Sequence, residues 1–243
     1  LAWVVLVLAY FLVLLMVRVI PFVGPYAMTV MKPVLAVGLL AAAWTQERGG
    51  TPALGQLMQG FRANLWSLLA IGAFFVVGIT IAVFASALVD GGKLVDLMGG
   101  DGAMTEAEVT AALADGRLQL GMAFSALLSL PVVIATWWAP ALVVFQDAGA
   151  AAALAASLRA ALANWKPLAV YGLGVFFYGG VVPGLVIAVI AMVLPSDAGR
   201  LFVIALLLPY SLFFAATLHV SDYVSYREVF HSGETLAPLS KGA

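Results

Sequence analysis

Few residues in this chain could carry chemistry. Among 243 residues there are twelve acids, eleven Lys or Arg, two His and no Cys. Without Cys there is no disulfide, thiolate zinc site, iron–sulfur cluster or cysteine nucleophile. Two histidines, His219 and His231 on either side of Asp222, are too few for a haem or multi-histidine metal site, so no cofactor is expected. No GxSxG, HExxH or P-loop occurs, nor a GxGxxG between strand and helix, and the chain is not expected to be an enzyme. What remains is charge set inside apolar runs. Arg18, near the end of the first run, reads either as an intramembrane charge on a pathway or as a side chain snorkelling to the headgroups. Lys32 stands about six residues, roughly 9 Å, into the second run, beside Pro33, which frees a backbone carbonyl. It can meet an anionic headgroup, snorkel, or pair with an acid such as Asp90.

The elements that position these residues follow from composition. The chain is 64% apolar and 9% charged, with a mean hydropathy of +1.11; soluble domains are about half apolar and a quarter charged. Its net charge of −1 and pI near 6.1 exclude the basic footprint of a nucleic-acid binder. The reading is an all-α, polytopic integral membrane protein. Apolar runs long enough to cross hydrocarbon predict about six transmembrane helices in one domain over 1–230: 1–20, 26–44, 63–89, 118–146, 167–195 and 201–223. The chain starts with Leu inside an apolar run and has no basic leader, which reads as a span rather than a signal peptide, with further residues expected upstream.

Orientation is read from Lys and Arg in the connections. Arg48, Arg62, Arg159, Lys166, Arg227 and Lys241 lie on one side; the other side has Lys93, Arg117 and Arg200 and an acidic loop over 90–117. Both termini are therefore expected in the cytoplasm of a bacterial inner membrane, the acidic loop outside, and 231–243 as a flexible cytoplasmic tail. Two cytoplasmic connections read as amphipathic helices lying in the interface. One opens at Thr51-Pro52 and carries Leu54, Leu57, Met58 and Phe61 on one face; the other carries Leu154, Leu158, Leu162 and Trp165. In the outer loop, Thr105 and Glu108 form a capping box, and Asp115-Gly116 closes the short helix it opens. Glu47, Asp147 and Asp222 close the even-numbered spans against the helix dipole. Arg62, Arg159 and Lys166 are their expected partners in a polar ring, and Arg227 belongs to the same face. The ring either fixes helix ends or offers a docking surface.

An internal echo runs through the chain. Asn64-Leu65-Trp66 to Gly72 matches Asn164-Trp165-Lys166 to Gly172 at an offset of 100, and Pro33-Val34-Leu35 sits as Pro140-Ala141-Leu142 does. A parallel repeat of inward span, surface helix and outward span would produce this pattern, and so would membrane composition by itself. Pro33, Pro131, Pro140, Pro183 and Pro209 interrupt the spans, a feature of transporter sites and of membrane helices in general. Gly172, Gly174, Gly180 and Gly184 thin the fifth span for close packing within the chain or against another subunit. Trp137 and Trp138 lie deep in the fourth span, for packing or for lining a groove.

The phrases Pro21-Phe22-Val23-Gly24-Pro25, Gly60-Phe61-Arg62, Trp138-Ala139-Pro140-Ala141-Leu142, Gln146-Asp147, Asn164-Trp165-Lys166-Pro167 and Ser225-Tyr226-Arg227-Glu228-Val229-Phe230 occur in this order. Together they resemble a family of proteobacterial inner-membrane proteins with about six helices. The stretches Pro140–Asp147 and Ser157–Asn164 are similar, more distantly, to the membrane domain fused to some glycerophosphodiester phosphodiesterases. The resemblance implies location and architecture and brings no catalytic residues; family members usually carry an apolar residue where Lys32 stands. The expected function is that of a non-catalytic accessory or scaffold subunit packing against lipid or a larger membrane assembly. The alternative is a transporter or lipid-handling protein using kinked helices 2 and 4, with Arg18, Lys32, Pro33, Trp137 and Trp138 as ligand contacts.

Overall fold

The computed structural model describes residues 2–99, 105–194 and 196–233, and these are helical with no strand. Asp101 of the acidic loop and 234–243 of the expected tail, Lys241 included, lie outside the described residues. In chain order the helices are α1 (Ala2–Arg18), α2 (Gly24–Glu47), α3 (Gln59–Arg62), α4 (Leu65–Ala85), α5 (Ala87–Asp90), α6 (Lys93–Gly99), α7 (Glu106–Leu113), α8 (Gly116–Trp137), α9 (Ala139–Gln146), α10 (Ala150–Ala163), α11 (Trp165–Phe176), α12 (Val182–Val193) and α13 (Ser196–Phe230). Five stretches are long and apolar enough to cross a membrane: α2, α4 with α5, α8 with α9, α11 with α12, and α13. The helix α1 is equally apolar but has 17 residues, about 26 Å at the helical rise, against a hydrocarbon core of roughly 30 Å.

The centre of the bundle is α2. From Val34 to Ala43 it is buried on nearly every side, as expected of a helix that is apolar all round. Leu35, Leu39 and Ala42 pack on Leu6, Tyr10 and Leu14 of α1. Val34, Val37 and Leu40 belong to a second cluster with Leu68 and Ile71 of α4, Trp138 to Val144 of α9, and Tyr223 and Tyr226 of α13. Glycines allow backbones to touch here: a Cβ on Gly72 of α4 would lie 2.3 Å from the Val30 carbonyl oxygen, and one on Gly60 would lie 1.8 Å from that of Val34. Small residues at such crossings are what lets membrane helices pack without a hydrophobic driving force between them.

The two connections expected on the membrane surface are wedges against the bundle. In the first, a 3₁₀ turn over Leu54–Met58 leads into α3. It starts at Ala53, whose N–H donates to Gln56 Oε1 (2.8 Å), rather than at a Thr51 cap. Leu57 alone of the expected face is buried, while Leu54, Met58 and Phe61 are exposed. Gln56 reaches back to the Thr45 hydroxyl of α2. In the second, α10 packs on the bundle through small residues set one residue back from the leucine stripe, with Leu154 partly buried beside them. Its buried face is Ala153, Ser157 and Ala161, with Leu162 and Trp165 exposed. The small residues win the inner face because α10 lies close against α8 and α9.

Ser157 shows what this closeness accomplishes. Pro140 cannot continue the helix through Trp138, and α8 gives way to α9 there. The Trp138 N–H, which an unbroken helix would direct to Ile134, donates to Ser157 Oγ (3.1 Å), and the Ser157 hydroxyl donates to the Ile134 carbonyl (2.9 Å). A side chain is thus spliced into the backbone ladder at a kink. A second break is healed differently. Ahead of Pro183 the chain widens into a π turn over Phe177–Val181, and the Tyr210 hydroxyl, next to Pro209, donates to the Tyr178 carbonyl (2.6 Å). Both devices satisfy backbone groups that hydrocarbon would leave bare.

In the acidic connection the Thr105–Glu108 capping box is present, with Glu108 N–H on Thr105 Oγ1 (3.3 Å) and Thr105 N–H on Glu108 Oε2 (2.8 Å). Asp115 does not close α7, which ends at Leu113; it caps α8, accepting from Arg117 and Leu118 N–H (2.8 and 3.2 Å), and pairs with Lys93. Asp90 is buried and accepts from Gly92 and Leu94 N–H (2.8 and 3.1 Å) and from Ser86 Oγ (3.2 Å). It is a local cap and not the partner of Lys32.

Candidate functional site

The residues that the sequence singles out divide into two places. The first is a knot at the bundle end that carries the 45–64 and 147–165 connections. Glu47 at the end of α2 takes an ion pair from Arg227 and a hydrogen bond from the Tyr223 hydroxyl, both of α13. Trp138 Nε1 donates to Ser225 Oγ (3.0 Å), and its ring meets Phe230 edge-on at 5.7 Å. Tyr226 is buried, stacks on Phe145 and bonds Gln146 (3.3 Å) and His231 (2.9 Å). The phrases Trp138–Leu142, Gln146-Asp147 and Ser225–Phe230 are therefore parts of one packing contact, held by groups that satisfy each other.

This arrangement corrects the expected polar ring. Glu47 is met by Arg227 and not by the following connection, and among the described residues no ion pair involves Arg62, Arg159 or Lys166. Arg159 Nε donates to Ala155 O of its own helix (3.1 Å), and Lys166 lies 5.8 Å from the Trp165 ring centroid. Asp147 ends α9 in a left-handed turn with φ 51°. Asp222 closes nothing: α13 runs on to Phe230, so this carboxylate stands about two turns inside the helix. A cleft of about 570 Å³ opens beside the knot, but the Glu47–Arg227 pair on its wall is already neutralised.

The second place is a groove between α1, α2, α8, α11 and α13. Its deeper chamber, about 400 Å³, is lined by Tyr10, Lys32, Trp137, Tyr171, His219 and Asp222 among others. A second cleft, about 430 Å³, continues toward the knot past Trp138, Asn164, Ser225 and Glu228, and shares Trp137 and Tyr171 with the chamber. Those two rings meet edge-on at 5.5 Å and form the partition.

The polar groups of the chamber are unevenly satisfied. His219 Nδ1 lies 3.7 Å from Asp222 Oδ2, and the imidazole packs edge-on against Tyr10 at 5.3 Å. The Tyr171 hydroxyl shares a 2.6 Å hydrogen bond with Ser221. The indole Nε1 of Trp137 is buried without a hydrogen-bond partner among the described residues. Lys32, an exposed residue that also lines the chamber, has no ion-pair or hydrogen-bond partner among them either. A lone cation on a membrane-crossing helix marks a functional position by default.

Lys32 and Trp137 thus come together as the sequence suggests, with Pro33 next to Lys32 on α2. Arg18, the last residue of α1, is exposed and lies outside the chamber, and Trp138 is core. Sequence reasoning did not single out Tyr10, Tyr171 or His219 as site residues, and it put Asp222 in the polar ring rather than in this chamber. Their signal was faint but present: His219 and Asp222 at i and i+3, on a helix whose true length the charge at Asp222 concealed. Of the glycines over 172–184, Gly179 packs within the chain, its Cβ position 2.8 Å from the Phe214 ring, and the others do not. Cβ atoms on Gly172, Gly174 or Gly184 would meet nothing within 4 Å, and one on Gly180 only its own helix's Phe176 at 4.0 Å.

No family model matches the chain, and no solved structure matches it. A protein of Burkholderia thailandensis described as a probable inner membrane protein is 32% identical over 243 residues, covering 98% of this chain and 87% of that protein. With that identity along almost the whole length, and with helices apolar enough to cross a bilayer, the chain belongs to that protein's family of inner membrane proteins.

Proposed function

We propose that this protein handles lipid in the inner membrane, taking an amphiphile into the groove between α1, α2, α8, α11 and α13, and that it does so without catalysis. The observation that carries this reading is the chamber itself. It is lined by a lysine with no ion-pair or hydrogen-bond partner among the described residues, a histidine–aspartate pair and two tyrosines, set among apolar side chains. Pockets of this kind, mostly apolar with a few convergent polar groups, are the usual form of a small-molecule site. The wall formed by α11 is loose: none of its residues is buried, and Tyr171 and Leu168 make its contacts with the body. Such a wall suits entry from the side.

In this reading α1 is the sixth span, and both termini lie in the cytoplasm. Arg48, Arg62, Arg159, Lys166 and Arg227 gather at one end of the bundle and the acidic loop at the other, the bias that orients inner-membrane proteins. Because the chain has no Cys, single introduced cysteines report sidedness without background. Cysteines at 49 and 149 are expected to react only from the cytoplasm and one at 91 only from outside.

A second reading, an accessory or scaffold subunit of a larger assembly, is favoured by the open glycine face of α11 and α12, beside which Leu173 and Phe176 stand 68% and 67% exposed. Extraction into native nanodiscs followed by mass determination separates the two. A lone chain with bound lipid supports the groove reading. A stoichiometric protein partner, lost when Gly172 and Gly174 become Leu, supports the scaffold.

A further inference from the structure

The lining of the chamber carries both signs of charge, and this narrows what it can hold. Lys32 lines it with no partner among the described residues. Asp222 lines it too, with His219 at 3.7 Å as its neighbour. An anionic amphiphile would satisfy Lys32 and be repelled at Asp222; a cationic one would do the reverse. Only a ligand carrying both signs complements both groups, since an uncompensated charge away from bulk water is costly. Resting on the lipid-handling reading, we propose that the chamber is the headgroup site of a zwitterionic phospholipid, its phosphate on Lys32 and its ammonium on Asp222.

The other groups fit this assignment. Trp137 Nε1, buried without a partner, is a spare donor for phosphate or ester oxygens. The Tyr10 hydroxyl lies on the same wall, and Tyr171 can turn from Ser221 to the ligand. Phe11, Leu14, Val175 and Leu218 provide apolar surface for acyl chains.

The way in follows from comparing the two span–wedge–span units. In the first, Gly72 brings α4 onto the α2 backbone. In the second, Gly172 stands at the matching place, yet α11 is not packed down and the glycine faces open space. Gly172 lines neither cleft; Tyr171 and Val175 are the α11 residues that border the chamber. Tyr171, next to Gly172, bridges the groove through its ring on Trp137 and its hydroxyl on Ser221. Lipid is expected to enter past α11 with Tyr171 released.

The test is lipid retention by the full chain. The protein is placed in nanodiscs of equimolar phosphatidylethanolamine and phosphatidylglycerol and ejected in a native mass spectrometer. The expected result is an adduct of one phosphatidylethanolamine well above its bilayer share. Lys32→Met should lower that adduct about tenfold, as loss of one charge-assisted contact implies. Asp222→Asn should lower it too while raising phosphatidylglycerol at its expense. Arg18→Met, outside the chamber, should leave it unchanged. Retention of phosphatidylglycerol in preference, lost in Lys32→Met, would overturn the zwitterion assignment and leave lipid handling standing. Retention in the bilayer ratio, or none, overturns both. These readouts come from the wild-type chain, so a variant that fails to fold does not rescue the proposal.

Discussion

Removing the Ser157 hydroxyl is the sharpest test of how the α8–α9 stretch is built. This oxygen is the acceptor of the Trp138 N–H at 3.1 Å and the donor to the Ile134 carbonyl at 2.9 Å, in a residue with 0% exposure. In Ser157→Ala both backbone groups lose their partner where water cannot replace it. A buried group left unsatisfied costs about 1–3 kcal/mol. Relaxation of the kink toward a direct Trp138–Ile134 bond would recover part of this, so the net loss should be about 1–3 kcal/mol rather than twice that. Such a loss is a roughly 5- to 150-fold shift in the unfolding equilibrium. The assay is reversible unfolding in mixed micelles followed by tryptophan fluorescence, for which Trp137 and Trp138 sit at the reporting position. Ser129→Ala is the control, since its hydroxyl bonds its own helix at the Ser125 carbonyl (2.7 Å), where the backbone ladder already serves that oxygen; it should cost under about 0.5 kcal/mol. Equal costs for the two variants would refute the splice and leave α10 as a passive surface helix.

Gly60→Ala should be among the most damaging single changes, because its Cβ would sit 1.8 Å from the Val34 carbonyl oxygen. A loss of about 3 kcal/mol or more in the same unfolding assay is expected. Gly184→Ala meets nothing within 4 Å and should be neutral or stabilise by about 0.5–1 kcal/mol through helix propensity. Tyr210→Phe removes the donor from the Tyr178 carbonyl and should raise hydrogen exchange around the π turn without altering the α2 core. Acidification should loosen the outer connection. Lys93, with the Arg117 and Leu118 amides, holds the Asp115 carboxyl below its ordinary value, and Thr105 does the same for Glu108. A lowered folded-state pKa gives stability that is full above the unfolded value, about 3.9 for Asp, and is lost as pH falls through the folded one. Exchange at residues 105–118 should therefore rise below about pH 4, and Lys93→Met should remove most of the Asp115 share.

The long apolar runs gave away the helices because hydrocarbon admits few alternatives for a backbone amide. Leu65–Asp90, Gly116–Gln146 and Asp197–Phe230 lie close to where hydropathy puts them. What hydropathy could not tell is which side of a helix meets protein, since lipid and protein interior are both apolar. On α10, the leucine stripe says which face is apolar, yet the side that meets protein is the neighbouring row of Ala153, Ser157 and Ala161. The glycines misled in the opposite sense: Gly172 and Gly174 look like packing residues and face open space. Charge caused the remaining error. Asp222 reads as the end of a span because a carboxylate is costly in lipid, but a groove bordered by His219 and Lys32 is not lipid, and the helix continues through it.

The packing of α10 also bears on how the proposed lipid groove would open without unravelling the protein. The first unit is locked at three glycines, by Gly38 on Leu57, Gly60 on Val34 and Gly72 on Val30. The second is locked once, where Ser157 and its alanine neighbours hold α10 against the α8–α9 kink. Everything on the α10 side of Asn164 is thereby anchored, and α11 beyond it meets the body through Tyr171 and Leu168 until the Tyr210–Tyr178 bond ties the chain to α13. Asn164 itself differs between the units in the required way. Asn64 caps α4 by accepting from the Ser67 N–H (3.2 Å), whereas the Asn164 amide donates back to Ala160 O (2.8 Å) and leaves the start of α11 uncapped. A missing cap and a missing backbone contact fall on the same helix, which is also the helix that carries Tyr171. In the lipid-handling reading proposed above, α11 itself is the lid of the groove.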